Sequence, residues 1–341
     1  MKFGIFDHLD ASGEPLEEQY RLRLKLVELY ENSGFYCYHL AEHHCTPLGN
    51  SPSPAIFLSA AAQRTQRIKL GPLVYTLPFY HPLRLIEEIC MLDRLSEGRL
   101  QLGVGRGISP LEISYYGLDP DESQERYFEI LEIVRSGLSS ETLNFQGRFY
   151  QFSDVPMVLR PKQIPYPPLW YGTNNPDAAV WAAANDVNVV TLMPAAVTRQ
   201  ITDRYRQEWQ ALGKDKQALP LMGMTRHIVV ADTTDEAMTI ARRAYLKWRR
   251  DFVWLWEKCG QPEHVYRIAP PTFDELVTKG TGYAGSPDSV IQYLNDEIEQ
   301  SGASYMALSM VFGDISYKEA QHSVELFAGE VMPAFTGTAA V

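Results

Sequence analysis

Two rhythms of apolar and polar positions alternate along this chain. Short apolar runs are followed by longer stretches in which apolar residues return every three or four positions, the spacing of a helix with one buried face. Phe3–Phe6 reads as a buried strand, and Leu16–Asn32 carries Leu22, Leu24, Leu26, Val27 and Tyr30 at helical spacing. The same pairing recurs in Tyr36–Leu40 with an alanine-rich helix over Pro54–Thr65, and in Ile68–Tyr75 with Pro82–Leu95, where proline takes the first helical position. Leu100–Val104 precedes a helix from about Ser123 to Ser139. Leu169–Gly172, Val187–Leu192 and Leu221–Ala231 are strands followed by helices over Asp177–Asn185, Thr198–Leu212 and Thr234 to about Lys258. A further helix, capped by Ser286-Pro287-Asp288, runs to Ser301, and Tyr305–Met310 leads into the last helix, Tyr317–Phe335.

Alternation of this kind predicts a parallel sheet, and eight strand–helix units predict one closed (β/α)8 barrel domain over residues 1–341. Two stretches break the rhythm. Residues 140–168 contain half of a small hairpin and a run of prolines, and residues 260–284 hold Pro262, Pro270, Pro271, Gly280 and Gly282. The second reads as a lid or a disordered loop.

Composition narrows the function. The 341 residues are 45% hydrophobic, enough for a large core, and the formal net charge of −11 argues against nucleic-acid or anionic-membrane partners. Cys37, Cys45, Cys90 and Cys259 have no metal-knuckle or CxxC spacing and read as reduced thiols. The chain starts directly as a strand and has no apolar run long enough to cross a bilayer, so a cytoplasmic location is expected.

Candidate chemistry gathers at strand ends. Tyr38-His39-Leu40-Ala41-Glu42-His43-His44 puts three imidazoles and a carboxylate at the end of the second strand. His39-x-x-Glu42-His43 fits a zinc pattern, but that chemistry needs both histidines on one helical face, and the local pattern here is strand, then loop. The other readings are satisfied buried histidines or an acid/base histidine facing a cofactor. Gly103-Val-Gly105-Arg106-Gly107 ends the fourth strand without dinucleotide spacing. Its glycines allow a flat ring or a phosphate to approach the backbone, and Arg106 suits either a phosphate or a solvated turn. Tyr171-Gly172-Thr173-Asn174-Asn175-Pro176-Asp177 is a strand, turn and helix start, which serves as an anion site or a simple cap. Pro78-Phe79-Tyr80-His81-Pro82 is a pocket wall or a packed turn.

Taken together, Met1-Lys-Phe-Gly, Ala41-Glu-His-His44, Leu77-Pro-x-x-His81-Pro, Glu97-Gly-Arg99, Gly105-Arg106-Gly107, Trp181-Ala-Ala and Val331-Met-Pro333 resemble the bacterial luciferase-like family of flavin-dependent monooxygenases over nearly the whole chain. The resemblance implies a (β/α)8 barrel that uses reduced FMN, which reacts with O2 to give a C4a-hydroperoxide. It implies His44 as the catalytic histidine, Arg106 and Arg126 as phosphate-binding arginines, and Thr173, Asn174 and Asn175 as the third phosphate segment. Leu73-Val74 falls where the family has a cis peptide under the flavin ring, and Gly105 stands where luciferase has a cysteine near the reacting carbon. The loops Ser109–Tyr116 and Met193–Val197 do not follow luciferase, so light emission is not implied. A separate flavin reductase as FMNH2 source, and a dimer, are the expected partners. A deazaflavin-dependent hydride transferase on the same barrel and a non-catalytic flavin-binding subunit are the alternatives, with a zinc hydrolase as a third.

Overall fold

The computed structural model describes residues 1–261, 263–266 and 268–335. Its strands are β1 (Lys2–Asp7), β2 (Cys37–Leu40), β3 (Lys69–Pro72), β4 (Tyr75–Thr76), β5 (Leu102–Gly105), β6 (Thr142–Gln146), β7 (Gln151–Pro156), β8 (Leu169–Gly172), β9 (Asn188–Thr191), β10 (Met222–Val230), β11 (Gly282–Gly285) and β12 (Tyr305–Ser309). The helices are α1 (Leu16–Asn32), α2 (Pro54–Ala62), α3 (Pro82–Leu95), α4 (Pro110–Tyr115), α5 (Ser123–Ser139), α6 (Ala178–Ala184), α7 (Ala195–Ala211), α8 (Thr234–Lys258), α9 (Glu263–Tyr266), α10 (Phe273–Thr278), α11 (Pro287–Ser301) and α12 (Tyr317–Leu326).

The main sheet runs β3-β2-β1-β12-β10-β9-β8-β5-β4, and every pairing in it is parallel. β3 and β4 are two halves of one strand, interrupted at Leu73-Val74, so the order closes on itself as an eight-stranded barrel. The seam is pinned where the Leu70 N–H donates to Arg99 O at 3.1 Å and the Gln101 N–H donates to Leu70 O at 2.8 Å. Closeness at this seam requires glycine: a Cβ on Gly103 would lie 2.1 Å from Pro72 O. Strands buried on both faces read as continuous apolar runs, which is why the eight were visible in sequence.

Inside the barrel, Phe6, Ala41, Leu73, Trp170, Val190, Tyr305 and Ala307 form one apolar cluster. Trp170 Nε1 donates to Gln101 Oε1 at 2.9 Å, which satisfies a polar pair in an otherwise dry interior. A larger core lies between strands and helices. Buried ion pairs tie the layers together: Arg23 Nη1 meets Asp7 Oδ1 at 2.8 Å between α1 and β1, and Arg226 Nε meets Glu297 Oε2 at 2.8 Å between β10 and α11.

The expected hairpin at 140–168 is β6 and β7, paired antiparallel. The rest of that insertion is fastened to α3, where the buried Asp93 carboxylate accepts the Lys162 and Gln163 N–H groups at 2.6 and 2.8 Å. In the second insertion the structure corrects one of the two expectations, the disordered loop. Its described residues hold α9, α10 and β11; β11 adds to β10 in parallel, and Phe273 and Leu276 of α10 are buried. These elements have too few residues to show a period in sequence, and Pro262, which the sequence reading also placed there, lies outside the described residues. Among the described residues no helix is long and apolar enough to cross a membrane.

Candidate active site

A cavity of about 590 Å3 opens at the carboxyl ends of the barrel strands. This is where a parallel barrel presents loop residues from several strands at once. Its floor includes Leu73 and Val74, joined by a cis peptide. Gly105 lines the cavity beside them, and a Cβ there would sit 2.5 Å from Val74 Cγ2. The strand end therefore presents bare backbone at that edge.

Arg106 is exposed at the cavity wall, with Nη1 3.4 Å from Ser123 Oγ at the start of α5. Thr173, Asn174 and Asn175 line the same cavity, so the structure brings these four expected residues together. The turn spends most of its amides on itself. Asn175 N–H donates to Thr173 Oγ1 at 3.1 Å and Asp177 N–H donates to Asn175 Oδ1 at 3.0 Å. Thr173 N–H donates to Val190 O at 2.9 Å, and Asn174 Oδ1 accepts from Thr191 Oγ1 at 2.8 Å. Among the described residues of this turn, only the Asn174 N–H is left to meet an anion.

Arg126 is not among the cavity residues. It sits with its guanidinium 4.0 Å from the centre of the Phe149 ring, on the β6–β7 side of α5, and Gln124 faces the cavity instead. Two residues along an α-helix are roughly 200° apart around its axis, so both cannot face one site.

His44 also stands back from the cavity. Its Nε2 is 2.8 Å from Glu42 Oε1 and its Nδ1 is 2.7 Å from Tyr116 Oη, with Phe79 and Tyr116 edge-on to the ring. Glu42 and His43 line the cavity in its place. Burial pushes the Glu42 carboxyl up, against the opposing pull of His44, of the Thr76 N–H and of the Tyr80 hydroxyl. The last two donate to Glu42 Oε2, each at 3.0 Å. Glu112, on α4, fixes both histidines: Oε1 lies 3.2 Å from His43 Nδ1, and Oε2 accepts the His44 backbone N–H at 2.9 Å. A line of hydrogen bonds thus runs from the buried Glu42 carboxyl through His44 to Tyr116, which is 47% exposed.

His39 is buried inside the barrel, edge-on to Trp170 and Tyr305, while His43 turns to Glu112. Among the described residues no three His, Cys, Asp or Glu side chains converge as metal ligands.

Sequence reading missed Glu112, Tyr116, His8, His227 and Trp248. The first two fall in a loop and a one-and-a-half-turn helix with no period to read. His227 and Trp248 looked like ordinary strand and helix residues, and His8 follows the first strand with no motif around it. The cavity roof comes from the second insertion through Ile268, Leu276 and Thr281. A flat apolar floor edged by glycine backbone, with the Arg106 guanidinium and the Asn174 N–H at the rim, suits a planar ring with an anionic tail. A flavin mononucleotide is such a molecule.

The chain is similar to known proteins along nearly its whole length. A family model described as luciferase-like monooxygenase matches residues 1–305. The chain is 42% identical to an uncharacterized protein of Sinorhizobium fredii, y4wF, over 97% of this chain and 96% of that protein. It is 25% identical to the oxygenase component of the flavin-dependent trigonelline monooxygenase of Acinetobacter baylyi, over 98% of this chain and 96% of that one. Among solved structures, the monooxygenase RslO1 from Streptomyces bottropensis superposes with a TM-score of 0.85 at 27% identity, covering 98% of this chain and 100% of that one.

Proposed function

The chain belongs to the luciferase-like monooxygenase family and is a flavin-dependent oxygenase, and from that premise we propose that it uses reduced FMN delivered by a separate reductase to insert one oxygen atom of O2 into a small organic substrate. The observation that carries the FMN reading is the joining of Arg106, the Thr173–Asn175 turn, Gly105 and the Leu73-Val74 floor around one cavity. Two-component supply is supported by the trigonelline relative, which is named as an oxygenase component.

Bound reduced flavin supplies the electrons that activate O2. The remaining work belongs to the protein. Arg106 and the Asn174 N–H hold the phosphate, and Arg106 can do so with two parallel charge-assisted bonds. Leu73, Val74 and Gly105 support the ring. α10 and the turn before β11 roof the cavity and keep bulk water out.

Proton movement is assigned to the Glu42–His44–Tyr116 line. With Glu42 ionised, His44 Nε2–H donates to the carboxylate and Nδ1 accepts from the Tyr116 hydroxyl. With Glu42 protonated, its O–H donates to Nε2 and Nδ1–H donates to Tyr116. Passing a proton from Glu42 through His44 to Tyr116 leaves Glu42 ionised and the imidazole in its other tautomer, and Tyr116 releases its own hydroxyl proton to solvent. His44 acts through Glu42 and is a positioning and relay residue; His43 is the imidazole that meets the cavity contents.

The experiment is to measure FMN binding, then to supply reduced FMN from an independent reductase and follow O2 uptake with candidate substrates. Substrate-dependent O2 uptake is expected. A purified protein that carries a deazaflavin spectrum and ignores O2 would replace the oxygenase reading with hydride transfer.

A further inference from the structure

Two N–H groups converge on the Glu112 carboxylate. Oε2 accepts the His44 backbone N–H at 2.9 Å, and Oε1 lies 3.2 Å from His43 Nδ1. Glu112 is itself placed by the start of α4, where its N–H donates to Ser109 Oγ at 3.3 Å. The backbone N–H can only donate, and an ionised carboxylate can only accept. The proton of the neutral His43 ring therefore sits on Nδ1, against Glu112. Nε2 is left with a lone pair and no hydrogen.

That atom is open to a ligand. The His43 side chain lines the cavity and keeps 16% of its surface accessible. Among the described residues, its Nε2 has no hydrogen-bond partner. The Nε2 atoms of His39 and His227 also lack partners, but they are sealed inside the protein, and His43 Nε2 is not. On the far side of the ring, His8 stacks on His43 at 5.7 Å. Burial, with His43, His227 and Arg23 adding to it, holds the His8 imidazole well below its ordinary value, so His8 is neutral at pH 7.

An open imidazole lone pair calls for a hydrogen-bond donor. A carboxylate, a ketone and an ether only accept, so none of them satisfies it. An ammonium would donate, but Glu112 and Glu42 are already bonded to the two histidines and leave it no free carboxylate. A hydroxyl fits. A hydroxyl on an aromatic ring fits best, because it gives up its proton more readily than an aliphatic one. The ring also has partners, since Phe79, Trp248 and Phe252 line the same cavity.

We propose that the substrate is an uncharged phenol whose hydroxyl donates to His43 Nε2, and that Glu112 is the positioning residue that keeps Nε2 an acceptor. When the proton crosses, the O–H bond breaks and an N–H bond forms at Nε2. The electron pair stays on the phenol oxygen, and the imidazolium keeps its Nδ1–H on Glu112. The proposal rests on the reading that flavin occupies the Arg106 side of the cavity.

Calorimetric titration with 2-naphthol, 2-methoxynaphthalene, 2-acetylnaphthalene and naphthylmethylammonium tests it, in the protein alone and in protein saturated with FMN. Naphthol should bind about tenfold tighter than each of the others, the worth of one well-made hydrogen bond. Glu112→Gln should reverse the order. Its carbonyl oxygen takes the His44 N–H, its amide N–H donates to Nδ1, and the ring proton moves to Nε2. Naphthol should then fall to within about threefold of methoxynaphthalene, and acetylnaphthalene should become the tightest probe. A merely structural Glu112 would weaken all four together and keep their order. His43→Phe keeps a ring in place and should bring the three uncharged probes within about threefold of one another. Equal binding of naphthol and methoxynaphthalene by the parent protein, tighter binding of the ammonium, a naphthol lead that survives Glu112→Gln or His43→Phe, or no binding by any probe would each overturn the proposal. FMN that displaces naphthol would overturn it too, because the space beside His43 would then belong to the flavin. Failure of FMN to bind, with the naphthol lead present and reversed by Glu112→Gln, would remove the flavin reading and leave this one standing.

Discussion

Glu42 Oε1 and His44 Nε2 lie 2.8 Å apart, with the carboxyl fully buried and the imidazole slightly exposed. The pair converts a buried acid into one end of a path to Tyr116 and the surface. His44→Ala breaks that path. Turnover should fall about 100-fold, the scale for a positioned proton-transfer group, while FMN affinity changes by less than about threefold. Tyr116→Phe keeps the ring contacts and should cost less, about tenfold, with a larger solvent isotope effect. Near-normal turnover in His44→Ala would pass the role to His43 alone.

Arg106 offers the second test. It is exposed at the rim and is the only lysine or arginine lining the cavity among the described residues. Arg106→Ala should weaken FMN by about 2–3 kcal/mol and leave riboflavin nearly unaffected, because only FMN has the phosphate. Arg126→Ala, beside Phe149, should change FMN affinity far less. Equal losses for FMN and riboflavin would refute the phosphate assignment.

The contrast between Arg106 and Arg126 shows what the sequence could convey. Strand ends are legible because buried strands are apolar runs with sharp limits, so Gly105, Arg106 and Thr173, expected at strand ends, line one cavity. The side of a helix or loop that a polar residue faces is less legible. α5 carries Gln124 and Arg126 on different faces, and the first turn of a helix has no earlier period to fix its phase. His43 and His44 sit in a loop with no period at all. The split between β3 and β4 was read as one strand, Ile68–Tyr75; the cis peptide position came only from resemblance.

The lid region gives a stability prediction. Phe273 is buried and meets Tyr245 of α8 at 5.8 Å, while Arg242 and Asp274 pair at the surface. Phe273→Ala should cost about 3–5 kcal/mol of local packing, whereas Arg242→Ala should leave stability nearly unchanged, since exposed pairs contribute little. Limited proteolysis with mass mapping should show new cleavage between α8 and α11 in the first variant only. Cleavage there in neither variant would mean that this region does not depend on Phe273.

Asp10 provides a pH test. It is buried; its Oδ2 accepts the Gly313 N–H at 2.7 Å, its Oδ1 has no partner, and burial raises its carboxyl to about 7. The folded state thus holds this proton more tightly than the unfolded chain does. The contribution is greatest below pH 4 and is lost as pH rises toward 7. Asp10→Asn keeps an acceptor for Gly313 and removes the titration. The variant should gain roughly 1–4 kcal/mol over the parent at pH 8 and little at pH 4. Denaturant midpoints at the two pH values check this, and an equal difference at both would show that Asp10 does not titrate in this range.

The source of electrons is the last question the cavity bears on. A nicotinamide dinucleotide brings a pyrophosphate, which calls for cations or a run of free amides beyond those that hold FMN. Among the described residues, the cavity offers Arg106 as its one guanidinium, and the Thr173–Asn175 turn has used its amides apart from Asn174 N–H. The glycine-rich end of β5 has G-x-G-x-G spacing and closes on the β3–β4 strand, where added side chains would collide. The Thr173–Asn175 turn and the single guanidinium therefore leave little for a second nucleotide once FMN is held. The protein alone should oxidise NADH or NADPH negligibly in the presence of FMN, O2 and substrate, and should turn over once an unrelated flavin reductase is added. Following nicotinamide absorbance before and after that addition gives the answer. A dialysis membrane between the two proteins should slow turnover without abolishing it, because reduced FMN can diffuse. Brisk oxidation without reductase would show that the chain binds the nicotinamide itself, and two-component supply would have to be abandoned.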